Sequence, residues 1–103
     1  MKKNSVEIHT GILLDENSVF TLTELSQSCG VEAEIIIEMV EYGILEPQGD
    51  VPVKWVFPVE ALKRSKVTLH LQRDLGINLS GAALAIELLE KINLLEQQLS
   101  HLR

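Results

Sequence analysis

Between Phe20 and Pro47 the chain is punctuated by Gly30 and Gly43, each closing an apolar repeat with helical spacing. The hydroxyl of Thr21 or Thr23 can cap a first short helix, because it accepts from the orphan N–H groups of the opening turn. Gly30 follows where a left-handed residue stops a helix most cheaply. Val31 opens a second pattern, in which Ala33, Ile36, Ile37 and Val40 recur at helical intervals. Gly43 ends it, and Pro47 lies beyond. Two short helices about a Gly-containing turn form a helix-turn-helix, and in such a unit the second helix is the one that reads DNA. Here that helix carries Glu32, Glu34, Glu38 and Glu41 and no Lys or Arg. The scaffold is one used for nucleic acid, but its reading face repels phosphate.

The charge of the whole chain sharpens this point. At 103 residues and 46% apolar, the sequence fits one domain, or one domain with a protruding helix. A core built from only 4% aromatics is aliphatic, and a chain this short gains from a dimer interface. The formal net charge is −6. From Asn4 to Val53 there are ten acidic residues and no Lys or Arg; from Lys54 to Arg103 there are seven basic and five acidic. Neutralising DNA phosphates requires the opposite sign. An acidic front half favours a basic protein partner, since complementary potential speeds encounter and rejects wrong partners. Cys29 is the single cysteine, which fits a reducing compartment. Lys2 and Lys3 are followed by no continuous apolar run, so a signal peptide is not expected. No segment reaches bilayer-spanning length. A cytoplasmic location is the expectation.

Taken in order, the loosely alternating segment 6–14, with Val6, Ile8 and Leu13, predicts a strand that Gly11 weakens. Asp15-Glu16-Asn17-Ser18 predicts a turn. After the helix-turn-helix, Gln48-Gly49-Asp50-Val51-Pro52 predicts a second turn. Val53 to Phe57 predicts a wing strand, paired with Ile44-Leu45 or with the N-terminal strand. Trp55 and Phe57 anchor this wing in the core, and Trp55 needs a partner for its N–H if it is buried. Pro58 suits the first turn of a helix over 58–74, stopped by Gly76. Asn78 or Ser80 caps a last helix from Leu79 to the C-terminus.

That last helix has the clearest period. Ala85, Leu88, Ile92, Leu95, Leu99 and Leu102 step by three and four, an a/d seam. Ala82, Ile86 and Leu89 widen the apolar surface at its start, so the first half packs on the domain. The second half has little domain left to cover it, and a second copy of the chain is the favoured cover over a fold-back. Leu88, Ile92, Leu95, Leu99 and Leu102 are therefore the expected dimerisation residues. The seam is short for an independent coiled coil, so other contacts must help.

Chemistry of other kinds has little footing. His9, His70 and His101 are isolated from one another, from Cys29 and from nearby carboxylates at ligand spacing. Cys29 has no neighbouring base and reads as a small core filler. No Gly-rich phosphate loop is present. No catalytic residue, metal or cofactor is expected. Lys63, Lys66, His70 and Arg73 form a basic stripe on helix 58–74. Pairing with the glutamates, within or between chains, is preferred over phosphate contact. For the glutamates themselves, a plain solvated helix face stands beside a partner-binding surface, which four acids without a base favour.

Trp55-Val56-Phe57, the helix leading to Leu69-His70-Leu71-Gln72-Arg73-Asp74-Leu75, then Leu79-Ser80-Gly81-Ala82-Ala83-Leu84-Ala85 and a Leu-rich end resemble the CbpM family of chaperone modulatory proteins. The front half is similar to that family and to the wider MerR group. It runs from Thr23-Glu24-Leu25 through Gly30-Val31 to Gly43-Ile44-Leu45-Glu46-Pro47, with the last five residues like a wing entry. The resemblance spans nearly the whole chain from about Val6. It implies a mainly α, MerR-like winged helix-turn-helix with a small β-wing and a long C-terminal helix. It also implies a homodimer that binds the J-domain of a DnaJ-like co-chaperone, CbpA, and blocks its stimulation of a DnaK-type chaperone by occlusion. DNA-binding MerR regulators usually place Arg and Tyr where this chain has Glu38 and its neighbours, so DNA binding is disfavoured. Metal sensing at the dimer helix has no cysteine to support it. The expected division is a winged helix-turn-helix domain at 1–76 and a dimerisation helix at 77–103. Assigning the co-chaperone contact to Glu32, Glu34, Glu38 and Glu41 rests on charge. The alternative function is a MerR-like DNA-binding transcriptional regulator.

Overall fold

The computed structural model describes residues 5–7, 13–15 and 19–102. Strands β1 (Ser5–Glu7) and β2 (Leu13–Asp15) pair antiparallel, with Val6 opposite Leu14. The single strand expected over 6–14 is therefore corrected to two short strands. Ile8 to Ile12 between them and Glu16 to Ser18 of the expected turn lie outside the described residues, while Asp15 ends β2.

Strand β3 (Val19–Thr21) leads directly into α1 (Leu22–Cys29). Thr21 is the N-cap, and Glu24 closes a reciprocal capping box with it. Gly30 takes the left-handed conformation (φ 70°) and lets its own N–H and that of Val31 satisfy the Gln27 and Ser26 carbonyls. Helix α2 (Ala33–Glu41) follows. Gly43, at φ 78°, turns the chain so that Ile44 N–H reaches back to the Met39 carbonyl at 2.9 Å. Ile44 and Leu45 then bury themselves beneath the motif. The wing is shorter than expected. Pro52–Lys54 form a 3-10 turn, and only β4 (Val56–Pro58) is strand. Its partner is neither Ile44-Leu45 nor the first hairpin. β4 pairs antiparallel with β3, Phe57 lying opposite Phe20, and Gln48 adds one bridge to Val56.

Helix α3 (Glu60–Leu75) starts after Pro58, which completes β4 instead of opening the helix. Gly76 (φ 66°) stops it. Asn78 caps α4 (Leu79–His101) by accepting from Gly81 N–H at 2.8 Å.

One core joins these elements. Leu25 of α1, Ile36 and Met39 of α2, Phe57 of β4 and Ala82 of α4 are wholly buried. On α2 the core side is Ile36 and Met39; Ile37, counted with the apolar face from spacing, is only half-buried. α3 seats Ala61, Leu62, Ser65, Thr68 and Leu69 inward. Thr68 satisfies its hydroxyl on the Arg64 carbonyl at 2.8 Å. Trp55, half-buried, stands edge-on to Phe57 with ring centroids 5.9 Å apart at 87°, a favoured aromatic geometry. The wing is anchored as expected, with Phe57 as the fully buried member.

Candidate functional site

The glutamates of α2 occupy two settings. Glu32 is the N-cap residue, just outside the helix, and makes no side-chain capping bond; an acid there suits the positive end of the helix dipole. Glu34, Glu38 and Glu41 follow at steps of four and three. At 3.6 residues per turn they fall within about 60° of one another, opposite Ile36. All four are exposed. Among the described residues Arg64 and Glu90 form an ion pair at 3.2 Å, and His70 Nδ1 lies 2.6 Å from Asp74 Oδ2, so His70 is not isolated from carboxylates as its spacing suggested. No cation among the described residues pairs with the α2 carboxylates, so intramolecular pairing between them and the basic stripe is corrected. The stripe itself is divided. Lys66, His70 and Arg73 border a shallow groove against Ser28 and Cys29 of α1, whereas Lys63 faces a second groove between α3 and α4. Arg64, not counted in the stripe, is the residue that bridges α3 to α4. Its spacing gave no sign of this, because the partner lies 26 positions away.

Like charges one turn apart on a helix repel each other. Glu34–Glu38 and Glu38–Glu41 are such pairs, and among the described residues no basic side chain pairs with them. α2 thus holds an arrangement that weakens its own helix.

Helix α4 has two apolar faces. Leu79, Ala82 and Ile86 enter the core. At about 100° per residue, Leu84, Leu88, Ile92, Leu95, Leu99 and Leu102 lie on another side, and each is at least 50% exposed. The fold-back alternative does not occur among the described residues. Leu84 belongs to the outward stripe by its four-residue step to Leu88, while Ala85, placed in the seam from spacing, is half-buried. Beyond Glu90 the core-side positions of α4 become polar (Asn93, Gln97, Ser100) and no core residue follows Ile86. Tyr42, Val51 and Val53 are exposed as well; no periodic pattern marks them in the sequence.

Cys29 is half-buried. Burial pushes its thiol above the ordinary value, and the Ser65 hydroxyl and Lys66 ammonium oppose that only in part. Ser65 reaches no partner at hydrogen-bonding geometry. A thiol held protonated is a poor nucleophile. Among the described residues no three His, Cys, Asp or Glu side chains gather as a metal site, and no helix is long and apolar enough to cross a membrane.

A helix-turn-helix with this wing and helix order matches, over residues 20–103, the family described as MerR HTH family regulatory protein. A chaperone modulatory protein CbpM from Coxiella burnetii is 45% identical over 93 residues, covering 90% of this chain and 88% of its own length. The chain belongs to the CbpM family. CbpM proteins of Pseudomonas entomophila and Pseudomonas putida are 40% and 39% identical over 79 residues, 77% of this chain and 78% of theirs. The names of these CbpM relatives are those of modulators of chaperones, consistent with a chaperone-modulating role carried on a MerR-like fold.

Proposed function

We propose that this protein is a non-enzymatic, cytoplasmic inhibitor of a DnaJ-like co-chaperone of the CbpA type. It binds the J-domain through α2 and so blocks stimulation of the DnaK-type chaperone. The observation that carries this reading is the uncovered run Glu34, Glu38 and Glu41, with Glu32 at the helix start. Mutual repulsion on one helix is retained most simply if a cationic partner relieves it. J-domains present a basic helix to the chaperone, and occupying that helix excludes the chaperone without any chemistry. The active unit is a homodimer joined through segment 77–103 by Leu88, Ile92, Leu95, Leu99 and Leu102, with Leu84 extending the seam. Two copies bury a stripe that one copy leaves in water.

The test separates binding from folding. Glu38→Lys together with Glu41→Lys should lower J-domain affinity at least tenfold in calorimetric titration, since each swap turns an attraction into a repulsion. The same pair should raise the urea midpoint, because it turns the Glu34–Glu38 repulsion into an attraction and sets cations near the negative end of the helix dipole, while positions 38 and 41 remain a like-charge pair. Unchanged J-domain affinity in the stabilised variant would remove the acidic helix from the interface. Absence of wild-type binding at micromolar concentration would end the co-chaperone reading. The DNA-regulator reading, which rests on the motif alone, predicts duplex binding that weakens steeply with salt in a gel-shift series.

A further inference from the structure

Two opposite charges flank the outward stripe of α4. At about 100° per residue, Lys91 lies on one edge of the stripe and Glu96 on the other, with Ile92 and Leu95 between them. Both are exposed, and among the described residues neither is in an ion pair. One heptad earlier the same two edges carry Leu84 and Leu89, which are 57% and 50% exposed. In a heptad with Ile92 and Leu95 at a and d, Leu84 and Lys91 take g positions and Leu89 and Glu96 take e positions. These are the flanking sites that set partner choice and orientation in paired helices.

We infer that two copies join α4 to α4 in parallel and in register, so that Lys91 of each copy meets the partner's Glu96 and Leu84 meets the partner's Leu89. The inference rests on the homodimer reading above and adds the orientation and the flanking contacts that fix it. In a parallel pair, a g position of one helix lies against the e position of the next heptad on the other. The two-fold axis runs along the seam, so each contact occurs twice. Leu84 and Leu89, which the domain leaves in water, are covered by the same arrangement. An antiparallel pair sets g against g and e against e. Centred between Ile92 and Leu95, it leaves Lys91 opposite the partner's Gln98 and Glu96 opposite the partner's Leu89. Slid by one heptad, it brings Lys91 onto the partner's Lys91 in one direction and Glu96 onto the partner's Glu96 in the other, and like charges repel. Of these arrangements the parallel one alone pairs the two charges. It also says where the domains sit. Leu79, Ala82 and Ile86 root α4 in the core near its start, so a parallel pair carries both domains, and both copies of α2, at one end of the particle.

Single cysteines read the orientation directly. Leu88 and Leu99 both lie in the seam, about 16 Å apart along the axis, and are 50% and 57% exposed in one chain. In a Cys29→Ala background, Leu88→Cys and Leu99→Cys should each form a covalent dimer under mild oxidation, because in a parallel pair each meets its own equivalent within disulfide reach. An antiparallel pair has one centre, so at most one of these two positions can meet itself. A covalent dimer from one variant or from neither, in samples whose reduced mass is that of two chains, overturns the parallel arrangement and spares the homodimer. A reduced mass of one chain in the wild type overturns both. A second measurement needs no cysteine. Lys91→Glu should raise the dimer dissociation constant about tenfold at low salt, because two exposed attractions become two repulsions, and by less at high salt. Adding Glu96→Lys to that chain should restore the pairing. A Lys91→Glu variant that dimerises as tightly as the wild type overturns the inference.

Discussion

Thr21 and Glu24 close on each other at the start of α1: Glu24 N–H donates to Thr21 Oγ1 at 3.1 Å, and Thr21 N–H donates to Glu24 Oε1 at 3.0 Å. The pair fixes the point at which β3 ends and the helix-turn-helix begins, and so sets the angle at which α1 leaves the wing sheet. Thr21→Ala should destabilise the fold by about 1 kcal/mol, the usual worth of an N-cap. The loss appears as a lower urea midpoint at unchanged slope. Thr23→Ala, one position inside α1, should have less effect, because Thr23 is exposed and makes no capping bond of its own.

Phe57 is the wing's hold on the core. It is fully buried, faces Phe20 across the sheet and meets the edge of Trp55. Phe57→Ala should cost about 3–5 kcal/mol. A 103-residue domain has only about 5–15 kcal/mol in hand. Chemical denaturation is therefore expected to show a fold near its limit, with Trp55 fluorescence shifted toward that of a solvated indole.

The outward stripe of α4 makes a prediction about mass. Light scattering on the wild type should give about twice the 11.5 kDa of one chain. Leu95→Glu with Leu99→Glu should give the single-chain value. Each leucine buried in a pairing is worth about 1.5–3 kcal/mol, so the double change raises the dimer dissociation constant by at least a hundredfold. A wild type that stays monomeric at high concentration would exclude this pairing.

Cys29 ties stability to alkaline pH. Burial raises its folded-state pKa above the ordinary 9.0. For an acid shifted in that direction, the contribution to stability is complete below the unfolded-state value. It is lost as pH rises through the folded-state value. Unfolding free energy should therefore fall above about pH 9, and fall less steeply in Cys29→Ala. At pH 8 the folded protein should react with a thiol reagent more slowly than the urea-unfolded chain. A reaction as fast as that of the unfolded chain would show the thiol to be exposed and ionised.

The local elements were legible because their signals are local. Gly30, Gly43 and Gly76 sit at left-handed positions that L side chains avoid, and Thr21 and Asn78 lie one residue before the helices they cap. The outward stripe of α4 and the acid-only α2 also follow from spacing alone. The wing strand was misplaced for a different reason. Which segment pairs with Val56–Pro58 depends on how the chain returns, and β propensity alone does not separate Ile44-Leu45 from Val19–Thr21. The buried side of α3 was hidden because two of its five core positions are Ser65 and Thr68; a count of apolar residues does not place hydroxyls inside.

By itself, then, the sequence determined where α1 and α4 start, where Gly30, Gly43 and Gly76 end the helices before them, the sign of the charge on α2 and the apolar period of α4. These depend on neighbours within a turn or two of helix. Only the tertiary structure decided which faces remain in water: that α2 turns Ile36 and Met39 inward and Glu34, Glu38 and Glu41 outward with no cation of the described residues over them, that the core stops using α4 at Ile86, and that Val53 stands clear on a turn clamped at Gly49. Exposure is a property of the packed chain, since it depends on what the other elements have already covered.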